Sequence, residues 1–174
     1  MKVLLTLALA AVAAAVMPAI AAGSQAHEHG VAQLDVVVEP ERVVFDLDTP
    51  LDNVVGFERA PRTDAERERV KAVLARLRDA AALFRIDAAA GCTVSKVELL
   101  APALQAGADA KEAHAGLQGH YEFSCKTGSK AGFVELGLFE ALATLRRIDL
   151  QVVTPRGQLK ARLNKPATRV VLVR

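Results

Sequence analysis

The sequence predicts an α+β domain built on a mostly antiparallel sheet with one main amphipathic helix. Three observations predict it. Residues 31–38 and 43–48 alternate apolar and polar side chains, the period of a half-buried strand. Residues 63–84 instead repeat apolar side chains at helical spacing. The second half then returns to short strand-like runs punctuated by Gly and Pro, an order that suits α+β rather than an alternating parallel fold.

Taken in order, the chain opens with Lys2 and an apolar run from Val3 to Val16 that only Thr6 interrupts, followed by Ala19-x-Ala21. This is the layout of a signal peptide over residues 1–21. The run is short and alanine-rich for a membrane span, an uncleaved anchor being the alternative. A single exported domain over residues 22–174 is the expectation. It begins with His27-Glu28-His29-Gly30, which holds two of the four histidines. A His-x-His pair on an extended chain places both rings on one side. By itself the pair reads equally as a solvated N-terminus or as half of a metal site.

In the first strand Leu34, Val36 and Val38 share one face, and Gln33 and Asp35 the other. Glu39-Pro40-Glu41-Arg42 is a turn, and Val43, Phe45 and Leu47 continue the apolar face on the return. If Val38 opposes Val43, then Val36 meets Phe45 and Leu34 meets Leu47, so the register is apolar throughout. The same register sets Asp35 against Asp46, a repulsion that a bound cation or plain exposure to water would relieve. If the strand runs straight back through Gly30, His27 and His29 lie on the polar face with Asp35.

Pro50, Gly56 and Pro61 mark residues 49–62 as a loop, with Asp52 and Asn53 as its turn and Phe57 in the core. Thr63-Asp64-Ala65-Glu66 is a capping-box pattern. The helix after it carries Val70, Val73, Leu74, Leu77 and Ala81 on one side and charges on the other, and ends near Phe84. Residues 92–100 form a strand, 101–119 a polar excursion carrying His114, and 121–125 a strand with Tyr121, Phe123 and Cys125 facing inward. His120 and Glu122 then face outward. A strand at 133–138, a short helix at 139–147, a hairpin of 148–154 with 158–163 around Pro155-Arg156-Gly157, and a last strand at 168–174 complete the pattern.

Composition narrows the function. The chain has 22 basic and 20 acidic residues, so it has no field to attract nucleic acid. With no Trp and one Tyr, stacking platforms for bases or sugars are scarce. Cys92 and Cys125, an even count behind an export signal, read first as one disulfide, with a thiolate metal site as the alternative.

The segment His27-Glu28-His29-Gly30-Val31-Ala32-Gln33-Leu34-Asp35-Val36 resembles the opening of the ZrgA-type periplasmic zinc-uptake accessory proteins. Thr49-Pro50-Leu51-Asp52-Asn53-Val54-Val55-Gly56-Phe57-Glu58-Arg59-Ala60-Pro61 looks like that family's most distinctive motif. Leu138-Phe139-Glu140 and Val153-Thr154-Pro155-Arg156-Gly157-Gln158 look like later landmarks. The resemblance implies a periplasmic protein that binds zinc and assists an ABC-type importer. The chain departs from the family pattern in having only Asp109, Lys111 and Glu112 as polar residues across 106–113, where relatives often carry a histidine-rich insertion. Arg59 stands where relatives commonly have His, and Gly116 where they often have an acidic residue. A single site is therefore expected in place of high-capacity loading.

Three classes of function are weighed. A zinc-binding module would use His27, His29, His114 and His120, with Glu28, Glu58 and Glu122 as oxygen ligands or orienting groups. A metal-free envelope adapter would bind another protein through the loop 49–61. An enzyme is not expected, because the sequence has no His-Glu-x-x-His, no Gly-x-Ser-x-Gly and no phosphate loop.

Overall fold

The computed structural model describes residues 28–105 and 115–172. The expected signal segment, His27 and His114 lie outside that set. The α+β class holds: two sheets and a few helices, one of them long. β1 (Val31–Val38), β2 (Arg42–Pro50), β4 (Cys92–Leu100), β5 (Gly116–Cys125), β7 (Arg147–Thr154) and β8 (Gly157–Asn164) form a six-stranded sheet. Its order is β4-β5-β2-β1-β7-β8. β3 (Phe84–Ile86), β6 (Phe133–Leu136) and β9 (Arg169–Val171) form a smaller sheet in the order β3-β6-β9. All pairings are antiparallel except β1 with β7, which is parallel.

The β1/β2 register is the one that apolar matching predicts, with Val38 opposite Val43, Val36 opposite Phe45 and Leu34 opposite Leu47. These six side chains are all buried. The aromatic cluster joins the two sheets. Phe84 of β3 stacks on Phe45 of β2 with centroids 4.2 Å apart, and meets Tyr121 of β5 edge-on at 4.9 Å. Such pairs add to the area they bury because ring edges and faces carry opposite charge. Cys92 and Cys125 stand directly opposite on β4 and β5 and are disulfide-bonded.

The helices differ from the sequence expectation in three places. Leu51–Val55 is a short helix, α1, where a turn is expected at Asp52 and Asn53. Gly56 at φ 82° ends it in the left-handed conformation that glycine tolerates best. The main helix, α2, spans Asp64–Arg78 and stops at Asp79, not near Phe84. There the Asp79 carboxylate accepts from the Ala82 N–H and starts α3, Ala80–Leu83. A short acidic side chain that captures a backbone donor competes with helix continuation. Residues 84–86, read as helix end, instead form β3. α4 covers only Leu138–Ala141. β5 begins at Gly116, earlier than the alternation of Tyr121 to Cys125 suggests, because Gly116 and Gly119 hide the strand pattern yet pair with Pro50 and Leu47.

Candidate metal centre

The first site is built on a turn. The Val31 N–H donates to the Glu28 carbonyl at 3.1 Å, and Gly30 sits at φ 83°. The chain therefore bends between Glu28 and Val31 and does not run straight back through Gly30. The parity that would have set His29 beside Asp35 is lost. His29 instead faces α1 and the residues after it. Its Nδ1 is 3.6 Å from Asp52 Oδ2 and its Nε2 is 3.4 Å from Glu58 Oε1. The ring is largely open to solvent, at 61% exposure, while the carboxylates are about half as open.

The surrounding charges are otherwise committed. Glu28 is held by Arg147, with Nη2 at 2.7 Å from Oε2. Arg59 turns away to α2 and makes a two-pronged pair with Glu66, at 2.9 and 2.7 Å, with its guanidinium over the Phe57 ring. That pairing, with the Arg62 N–H, lowers the Glu66 carboxyl from its ordinary 4.5 to about 2. Arg59 is thus a clamp between loop and helix.

The second group lies on the outer face of the large sheet. Asp35, Asp46, His120 and Glu98 face one another in turn across β1, β2, β5 and β4. His120 Nδ1 is 2.7 Å from Asp46 Oδ1 and Nε2 is 2.8 Å from Glu122 Oε1. Ionised carboxylates only accept, so two of them at the two ring nitrogens favour the doubly protonated, cationic imidazole. Its hydrogen bonds to Glu122 and Asp46 accordingly raise its pKa, and His120 lowers that of Glu122. The repulsion between Asp35 and Asp46 is answered by the protein's own cations: His120 beside Asp46, and Lys160 near Asp35. Burial and Asp46 still hold the Asp35 carboxyl above its usual range. Asp35, Asp46, Asp48, Glu98 and His120 line an open groove of about 730 Å³.

The structure places His29 with Glu58, and His120 with Glu122, in two groups that share no carboxylate. His27 and His114 fall outside the described residues. Among the described residues no three His, Cys, Asp or Glu side chains are arranged to hold a metal ion. Cys92 and Cys125 are consumed by their disulfide. Sequence reasoning passed over Asp52 and Asp46 as partners of histidine. Asp46 was reachable, since one more strand pairing sets it opposite His120. Asp52 was not, because it faces His29 only once residues 51–55 coil and the chain turns at Gly30.

Compared with known proteins, residues 26–172 match the family described as ZrgA family zinc uptake protein. No curated protein matches the chain.

Proposed function

The chain belongs to the ZrgA family of zinc uptake proteins, and from that premise we propose that it is an exported, periplasmic zinc-binding protein whose cargo ion is held at His29. It takes part in zinc acquisition by passing the ion towards an ABC-type importer, and it performs no catalysis. One observation supports the placement. Zinc ligands at 2.0–2.2 Å in a tetrahedral shell stand roughly 3.3 to 3.6 Å from one another. The separation of His29 Nε2 from Glu58 Oε1, 3.4 Å, falls at that spacing. The separations around His120, 2.7 and 2.8 Å, are those of hydrogen bonds instead.

In this reading Glu58 and the His29 Nε2 are ligands, and Asp52 faces the other ring nitrogen. At 3.6 Å from Nδ1 it lies beyond hydrogen-bond reach, so a small turn of either side chain is needed before it orients the imidazole as such a carboxylate does. The described residues supply too few ligands for a full tetrahedral shell, so His27, His114 or water completes it. His120 is left to its ion pairs. Ligating nitrogens must be deprotonated, so zinc binding weakens as pH falls through the imidazole range.

Calorimetry with zinc on the exported, untagged chain tests this. The expected result is one ion or fewer per chain, strong weakening by His29→Ala and by Glu58→Gln, and no change with His120→Ala. Unchanged affinity in both of the first two variants overturns the site. A chain that binds no zinc in any form leaves the metal-free adapter as the better reading. Export is tested separately by fractionation and N-terminal sequencing, with cleavage expected after Ala21.

A further inference from the structure

We propose that Asn53 is the positioning residue of the zinc site, an inference that rests on His29 being a ligand. Thr49 and Asn53 are the two buried polar side chains among the described residues. Burying an amide is unfavourable unless its hydrogen bonds are made. Here they are. Asn53 Oδ1 accepts from the Gly30 N–H at 2.6 Å, and Nδ2 donates to the Val31 carbonyl at 2.8 Å and to Thr49 Oγ1 at 3.0 Å. Only one orientation of the amide satisfies all three, because the flipped form would set donor against donor at Gly30. The side chain thus grips the two residues that follow His29 by both a donor and an acceptor. From the other side, Arg146 Nη2 donates to the His29 carbonyl at 3.1 Å, and the Arg146 and Arg147 N–H groups donate to the Gly30 carbonyl.

Asn53 also follows Asp52 on α1, so one turn of helix both holds the His29 backbone and faces its ring. The α1 backbone is anchored in turn, since Thr144 Oγ1 donates to the Asn53 carbonyl at 3.1 Å. The spacing between the His29 ring and its carboxylates is therefore set through Asn53. A purely structural role would need the amide to stabilise the core but not to govern the ion.

A double-mutant cycle read by zinc calorimetry on the exported, untagged chain separates the two roles, since coupling isolates an effect that acts through a partner. Asn53→Ala is expected to weaken zinc about 10- to 100-fold, the usual effect of losing a residue that orients a ligand. In the His29→Ala background the same change is expected to have no further effect on zinc. Thr49→Val, which removes a buried hydroxyl without touching Gly30 or Val31, is expected to lower stability and leave zinc affinity alone. If Asn53→Ala fails to fold, Asn53→Ser replaces it in the cycle. Equal weakening with and without His29, or weakening by Thr49→Val as large as that by Asn53→Ala, overturns the positioning role while His29 keeps its own. No loss on His29→Ala alone removes the zinc reading, and this inference with it.

Discussion

At the scale of single residues, the two described histidines behave oppositely, and the difference lies in hydrogen-bond geometry. His120 is held between Asp46 and Glu122, which favour its protonated form and raise its pKa. A raised pKa means that its contribution to stability is complete below the unfolded value of 6.5 and is lost as pH rises through the folded one. Chemical denaturation of the native chain and of His120→Gln between pH 6 and 9 should therefore show the native advantage shrinking towards high pH. A difference independent of pH would show that the ring is held for its shape. Glu66 has the opposite sign. Its carboxyl is lowered from 4.5 to about 2, so its contribution is present above 4.5 and is lost as pH falls towards 2. Denaturation in acid should be steeper for the native chain than for Glu66→Gln over that window. Gly30 is a third test. At φ 83° any side chain meets its own carbonyl, and a Cβ would also press the flexible end of Arg146. Gly30→Ala should lose about 1–2 kcal/mol from the backbone alone, read as a lower denaturation midpoint, together with weaker zinc binding.

Among elements, α2 and the β1/β2 pair are the parts most legible in the sequence, because their signals are local. Thr63 caps α2 by accepting from the Glu66 N–H at 3.2 Å, where the capping-box pattern places it. Thr63→Ala should cost about 1 kcal/mol, seen in thermal unfolding, with zinc affinity unchanged since Thr63 touches neither histidine group. The alternation of Leu34, Val36 and Val38 against Val43, Phe45 and Leu47 fixes a register, because a slip of one residue would expose the whole apolar face. α1 and β3 were hidden for the opposite reason. Leu51–Val55 is too short to show a helical period, and Phe84–Ile86 follows a helical pattern without a break except at Asp79. The disulfide was legible from an even cysteine count behind an expected export signal. It closes a loop of 33 positions and so contributes roughly 3 to 4 kcal/mol in the chain-entropy model. Reduction should lower the unfolding midpoint while the two sheets remain.

For the molecule as a whole, the candidate site was half legible: the residues could be named, but not their grouping. Which carboxylate each imidazole meets depends on one turn at Gly30 and on one strand pairing, and neither leaves a periodic trace. The least visible feature is the parallel pairing of β1 with β7, which sets Val31 opposite Arg147 and Val37 opposite Val153. Parallel partners need a crossover, and here most of the described chain lies within it. The first strand is thus central in the sheet, yet its second neighbour is among the last segments to be made. Contacts so distant in sequence slow folding, because the loop must close before they reward it. Until Arg147–Thr154 arrives, β1 has one unpaired hydrogen-bonding edge, the kind of edge on which chains stack into aggregates. A chain that folds from its N-terminus as it is made presents that half-finished sheet to its neighbours until Arg147–Thr154 is added.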